Sequence, residues 1–276
     1  MRLIAGLIAG LALVNAIAAA PIATQYDDSD LTGSNEAAAN PSKEHTKNQN
    51  WAGAVLDGSD FQTVTGTFIV PRVSLPAGAQ PHFFEKFGAA AWVGLDGSTC
   101  HGVIMQTGVI MRISNDGILE QEAVYEWFPD KPVRFKNLKV SPGDSVTLTI
   151  TASSDSGGVA IIENNTTGQS VRHKFVGRKP HLCRTNAEWI VEDFIQKRHK
   201  HHALFADFGS VSFTNASAIT GDGTRSGPTS ARIHDIVGKD SHGKEYLLTN
   251  AAVDDSTVSI SYGKRPVSEN DGSIVC

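Results

Sequence analysis

Positive charge is scarce in this chain. The 24 Lys and Arg stand against 29 Asp and Glu, a net charge of −5, the opposite of the basic footprint that nucleic-acid binding demands. There is no G-x-S-x-G elbow and no H-E-x-x-H helix, which sets aside serine hydrolases and zinc peptidases of the familiar kinds. No long apolar stripe of helical period and no internal repeat is present, so a helical bundle and a solenoid are excluded as well. Cysteine is limited to three residues, enough for one disulfide with one thiol left over.

What is there begins with an apolar start. Met1-Arg2 precedes Leu3 to Ala20, almost wholly apolar and ending in Ala18-Ala19-Ala20. A charged start, an apolar middle and a small-residue end are the layout of a secretory signal peptide, assigned here to residues 1–19. The protein is therefore expected to be secreted and extracellular, with no membrane attachment once the signal is removed. Residues 20–46 are polar and without apolar periodicity, and read as a leader, the pro-segment of a zymogen. In an oxidising compartment Cys100 pairs with Cys183 and leaves Cys276 over, because the first two lie inside patterned segments and the last is the final residue. Asn164, Asn165 and Asn215 each open an N-x-S/T triplet compatible with glycosylation.

From Asn50 onward the text changes. Thr63-Val-Thr-Gly-Thr-Phe-Ile-Val, Ser145-Val-Thr-Leu-Thr-Ile-Thr-Ala, Ser210-Val-Ser-Phe-Thr and Thr257-Val-Ser-Ile-Ser-Tyr alternate apolar with polar residues at period two. Turn chemistry such as Pro142-Gly-Asp, Gly157-Gly and Asp271-Gly bounds them. Many short, evenly spaced strands predict an all-β, antiparallel sandwich or barrel, as one domain over 47–276.

Thr185-Asn-Ala-Glu-Trp-Ile-Val-Glu-Asp-Phe carries two glutamates around an apolar centre. As a helix it would fit a capping box, with Glu188 bonding a backbone amide. As a strand, which Trp, Ile and Val favour, it puts Glu188, Ile190 and Glu192 on one face. Trp92, Gly94 and Asp96 share a face in the same way, as do Ile104, Gln106 and Gly108, and Glu122, Val124, Glu126 and Phe128. Such faces suit a groove lined by acids and aromatic rings, or equally a solvated sheet surface. Asp155-Ser-Gly resembles the turn of an aspartic peptidase but has no second copy, so it reads as a hairpin turn. His199-Lys-His-His lacks an acidic partner nearby, and no metal site is assigned.

Taken together, the chain resembles the fungal glutamic peptidases, the eqolisins, over nearly all of residues 47–262. The resemblance rests on Asn50-Trp-Ala-Gly-Ala-Val-Leu, Gly66-Thr-Phe-Ile-Val-Pro, Ala91-Trp-Val-Gly-Leu-Asp-Gly-Ser-Thr-Cys, Met105-Gln-Thr-Gly and Tyr125-Glu-Trp-Phe-Pro-Asp. It continues through the Thr185–Phe194 stretch and Phe205-Ala-Asp-Phe-Gly-Ser-Val-Ser-Phe-Thr-Asn-Ala. It implies a lectin-like antiparallel β-sandwich of two bent sheets with a concave substrate cleft. It implies an endopeptidase active in acid, with Gln106 and Glu188 as catalytic dyad and Trp51, Trp92, Asp96 and Glu126 binding substrate in the cleft. The family's disulfide falls on Cys100 and Cys183. The implied partners are polypeptide substrates, the implied state a monomer, and no cofactor is called for.

The chemistry is sound on first principles. A carboxylate can take a proton from water and return it to the leaving amine, and a side-chain amide can donate to the developing oxyanion. Charge on Asp96 and Glu126 would raise the pKa of Glu188. The chain departs from the family at Val124, where a tryptophan is usual, and at Phe128, where a tyrosine is. Ala77 to Gly88 reads as an insertion. The basic stretches Gly177-Arg-Lys-Pro-His and Gln196-Lys-Arg-His-Lys-His-His would limit stability in strong acid by self-repulsion. Two alternatives are a non-catalytic sugar-binding sandwich and a glycosidase using cross-strand carboxylates such as Glu188 and Glu126.

Overall fold

The computed structural model describes residues 45–79, 86–194, 205–239 and 242–266, without the side chains of 264–266. In chain order the strands are β1 (His45–Asn48), β2 (Trp51–Asp57), β3 (Phe61–Ile69), β4 (Lys86–Leu95), β5 (Ile104–Ser114), β6 (Leu119–Phe128), β7 (Val133–Arg134) and β8 (Ser145–Ser154). They continue with β9 (Gly157–Asn164), β10 (Gln169–Phe175), β11 (Asn186–Glu192), β12 (Ser210–Thr220), β13 (Arg225–Ser226), β14 (Arg232–Lys239), β15 (Glu245–Val253) and β16 (Val258–Pro266). Among the described residues the one helical element is a short 3-10 turn, Pro228–Ser230, and no helix is long and apolar enough to cross a membrane.

Two sheets face each other. One runs β10-β9-β8-β3-β12, the other β14-β2-β11-β4-β5-β6-β7, and β15 and β16 bridge β14 to β12. The named pairings are antiparallel except that of β1, which lies parallel to β14. The expected all-β antiparallel sandwich is thus the observed architecture.

Period-two alternation builds the core. In β8, Val146, Leu148, Ile150 and Ala152 are fully buried, while Thr147, Thr149 and Thr151 face outward and pair their hydroxyls with Thr67, Thr65 and Thr63 at 2.8, 3.0 and 3.2 Å. The Asp155-Ser-Gly motif forms the turn between β8 and β9. Trp189 points inward from the opposite sheet and donates its indole N–H to the Thr65 carbonyl at 2.8 Å, tying the layers together. The same alternation decides between strand and helix for the Thr185 stretch. Asn186–Glu192 is a strand, hydrogen-bonded to β2 on one side and β4 on the other. Ala187, Trp189 and Val191 join the core, which leaves Glu188, Ile190 and Glu192 on the outer face.

Cys100 and Cys183 are joined in a disulfide across 83 residues of sequence. The leftover Cys276, the signal segment and the leader up to residue 44 lie outside the described residues. His45 and Thr46, the last two residues of the expected leader, lie in β1, which is held to β14, and His45 Nδ1 meets the buried Asp235 carboxylate at 2.6 Å. Asn164 is not an exposed glycan acceptor. It is 1% exposed, its amide donates to the Lys139 carbonyl and Asp144, and its Oδ1 accepts from the amides of Thr166 and Thr167.

Candidate active site

Register puts the site together. Glu188 on β11 stands opposite Gly94 on β4, Gly94 opposite Gln106 on β5, and Gln106 opposite Glu126 on β6. With strands ~4.8 Å apart, the Glu188 and Gln106 backbones are roughly 10 Å apart, separated by a residue without a side chain. A Cβ at Gly94 would sit 2.9 Å from the Trp92 ring and 3.3 Å from the Gln106 Cβ, so the space between the two functional side chains exists because glycine is there. The next row is Ile190, Trp92, Gly108 and Val124. At Gly108 a Cβ would lie 2.4 Å from the Ala91 carbonyl oxygen and 2.5 Å from the Trp92 Cβ, which requires glycine for Trp92 to lie where it does.

Gln106 and Glu126 of the first row, and Trp92, Gly108 and Val124 of the second, line a cavity of about 600 Å³ on this face of the sheet, while Glu188 lies buried beneath it and outside its wall. Trp51, Trp92, Gln106 and Glu126 are in its wall, together with Glu192. Trp51 and Trp92 meet edge to face, with centroids 5.1 Å apart. Val124 and Phe128, the two departures from the family pattern, also line it, Phe128 at 40% exposure. A smaller polar recess of about 400 Å³ continues past Trp51 and Gly97 to His101 and His234.

Glu188 is fully buried, and neither carboxylate oxygen makes a hydrogen bond. Burial drives its pKa well above the usual carboxylate range, and the charge of Asp96 adds to this. The nearby Ser98 amide and the Arg232 guanidinium oppose the shift, while Asp57 reinforces it. Glu126, expected to act on Glu188, acts on Glu192 instead. Arg232 is held by Asp57 through two bonds of 2.5 and 2.9 Å and by the Ser98 hydroxyl at 2.9 Å. Gln106 donates its Nε2–H to Glu126 at 2.6 Å, which fixes the orientation of the amide, and its Oε1 is buried with no partner. Glu126 is itself raised by burial, with Gln106 opposing.

Asp96 differs from the expectation. It does not line the cleft. It is fully buried at φ 68° and accepts backbone N–H bonds from Cys183, Arg184 and Thr185, each at 2.8 Å. It clamps the segment leading into β11 and reaches Glu188 through its charge alone. Two residues given no role in the dyad or the cleft from the sequence also belong here. Glu192 shares the Glu188 face and accepts the Trp92 indole N–H at 2.8 Å, and burial pushes its pKa to about 7. Arg232, 44 positions beyond Glu188, carried no local signal.

A carboxylate pair of the glycosidase kind does not form from Glu188 and Glu126, since Gly94 and Gln106 lie between them in the row. Two strands already span roughly 10 Å, beyond the ~5–9.5 Å such pairs use. Among the described residues, no three His, Cys, Asp or Glu converge to hold a metal ion. His199, His201 and His202 lie outside those residues.

Comparison with known proteins identifies the family. The peptidase A4 family model matches residues 49–262. Aspergillopepsin-2 of Aspergillus niger is 43% identical over 226 residues, covering 77% of each chain. Scytalidopepsin B of Scytalidium lignicola is 38% identical over 226 residues, covering 80% of each. The crystal structure of scytalido-glutamic peptidase with a transition state analog inhibitor superposes with a TM-score of 0.65 at 38% identity, covering 78% of this chain and 98% of that one. With a family match across the whole sandwich, and relatives this similar over most of its length, the chain belongs to the peptidase A4 family, the eqolisins, and is a peptide-bond hydrolase.

Proposed function

We propose that this peptidase cuts polypeptides with a Glu188–Gln106 dyad, as a secreted endopeptidase working in acid. The observation that carries this reading is the cross-strand row Glu188–Gly94–Gln106, in which only a glycine stands between a carboxyl and an oriented amide. A scissile peptide lying over Gly94 has the two groups on either side. Water attacks the carbonyl carbon while Glu188 takes its proton. The oxygen that becomes negative accepts an N–H from Gln106. Glu126 occupies one N–H of that amide and leaves the other for the oxyanion. Collapse of the tetrahedral intermediate breaks the C–N bond as Glu188 returns the proton to the leaving nitrogen. Trp51, Trp92 and Glu126 shape the cleft, and no cofactor takes part.

The signal peptide over 1–19, a pro-segment within 20–46, export and a monomeric state belong to the same proposal. A base must be ionised, and Glu188 titrates above the usual carboxylate range, so the acid limb of kcat/KM falls in mild rather than strong acid. The test is digestion of a denatured protein from pH 2 to 7 by wild type, Glu188→Gln and Gln106→Ala, all confirmed folded. Loss of a hundredfold or more in each variant is expected. Variants that cut as fast as wild type would remove the dyad.

A further inference from the structure

A second cavity, of about 560 Å³, lies just beyond the C-terminal end of the strand that carries Glu188. β11 ends at Glu192, and Asp193 turns the opposite way, its backbone N–H bound to the Asn50 carbonyl at 2.8 Å. We propose that this cavity is a binding site for a small organic amine, whose ammonium group pairs with Asp193 and whose apolar body lies among Phe87, Phe205, Tyr246 and Tyr262. The proposal does not depend on which residues cut peptide bonds.

Asp193 is 5% exposed, and among the described residues its Oδ1 is buried with no hydrogen-bond partner. An unpartnered buried polar group is costly, and a ligand able to donate to it recovers that cost. The cavity is of small-molecule size, and its wall sets the rings and alanines beside Asn48, Gln49, Asp193, Lys239 and Glu245. Its rings suit a cation, which is drawn to aromatic faces. Among the described residues, the charged groups around it leave the negative charge unanswered. Lys47 and Lys239 are both turned to Glu245, at 3.8 and 3.6 Å. Glu192, next in the chain, has the same sign as Asp193. Tyr262 on β16 has its phenol pushed up to about 12, by burial first and then by Asp207, Tyr246 and Asp193, so it stays neutral. Part of the wall is Ala77, Gly78 and Ala79, in the segment read as an insertion.

Burial and Glu192 push the Asp193 carboxyl up to about 7. Below that pH the carboxyl takes a proton and stops answering a cation. Affinity for an amine then falls about tenfold per pH unit.

The experiment uses the folded enzyme and two probes, tryptamine and its neutral counterpart tryptophol, with affinity measured by calorimetry at pH 7 and pH 5. Wild type is expected to bind one tryptamine at pH 7, at least tenfold more weakly at pH 5, and to bind tryptophol at least tenfold more weakly than tryptamine. Asp193→Asn should lose tenfold or more for tryptamine at pH 7, while Glu126→Gln in the catalytic cleft should not change it. Three outcomes overturn the proposal: no tryptamine binding at millimolar concentration, equal affinity for the two probes, or loss in Glu126→Gln but not in Asp193→Asn. If Asp193→Asn does not fold, Glu192→Gln decides the matter, because loss of tryptamine binding in that variant would place the amine in the catalytic cleft and overturn the proposal, whereas unchanged or tighter binding supports it.

Discussion

At the scale of single residues, the site depends on an absent side chain. Gly94 is the one member of the Glu188–Gly94–Gln106–Glu126 row that has none. Its backbone does not require positive φ, so Gly94→Ala keeps the strand and changes the space above it. The added methyl pushes on Trp92 and fills the strip where a peptide would lie. A displacement near 1 Å at a reacting centre costs roughly a hundredfold in rate. We therefore expect kcat/KM to fall by about that factor with a melting temperature within a few degrees of wild type. Full activity would mean the peptide does not cross Gly94.

At the scale of elements, β11 is positioned from its N-terminal end. The disulfide holds Cys183 to the loop after β4, and Asp96 from that loop binds the backbone N–H groups of Cys183, Arg184 and Thr185. These are charge-assisted bonds to a buried carboxylate, each contributing roughly 1.5–3 kcal/mol. Asp96→Asn keeps the shape but leaves amide donors facing an NH₂ group or a weaker acceptor. It should lower stability by on the order of 3 kcal/mol. It also removes a charge that raises Glu188, so the acid limb of kcat/KM should move to lower pH in the fraction that folds. Urea denaturation and a pH–rate profile on one preparation check both. A profile that does not move would leave Asp96 a purely structural clamp.

At the scale of the whole molecule, buried carboxyls set the dependence of stability on pH. Glu192 and Asp193 are pushed up to about 7, mainly by burial, and Glu188 well above the usual range. Carboxyls raised on folding contribute stability that is full below their unfolded pKa near 4. It is lost as pH rises from there through the folded value. His234 works the other way. Burial lowers it to about 4, so its contribution is present above its unfolded pKa of ~6.5 and is lost as pH falls toward 4. Three carboxyls outweigh one imidazole over the same window, so the fold should be more stable in mild acid than at neutrality. The melting temperature at pH 4.5 is expected to exceed that at pH 7.5 by on the order of 10 °C. Glu192→Gln should narrow the gap, and a melting temperature that rises toward neutrality would refute the account. This direction is opposite to the self-repulsion expected from the basic stretches. In the first of them Arg178 pairs with Asp130 and His181 with Asp155 at 3.1 Å, and the second lies outside the described residues.

Much of this was legible in the sequence because strand alternation is local. Residues of one strand that share a face do so by the period of the chain itself, so Glu188 with Glu192, Gln106 with Gly108 and Trp92 with Gly94 could be grouped before any fold was known. Alternating segments separated by turns likewise specified an all-β sandwich, and the position of the cysteines specified their pairing. Tertiary structure decided which strands became neighbours and in what register. That choice set Gly94 between Glu188 and Gln106, brought Arg232 to the far side of Glu188, and withdrew Asp96 from the cleft to clamp a backbone. It also decided burial, and burial is the main cause of the raised carboxyls. A side chain's depth in the protein depends on every element packed over it, whereas its face on a strand depends only on its neighbours in the chain.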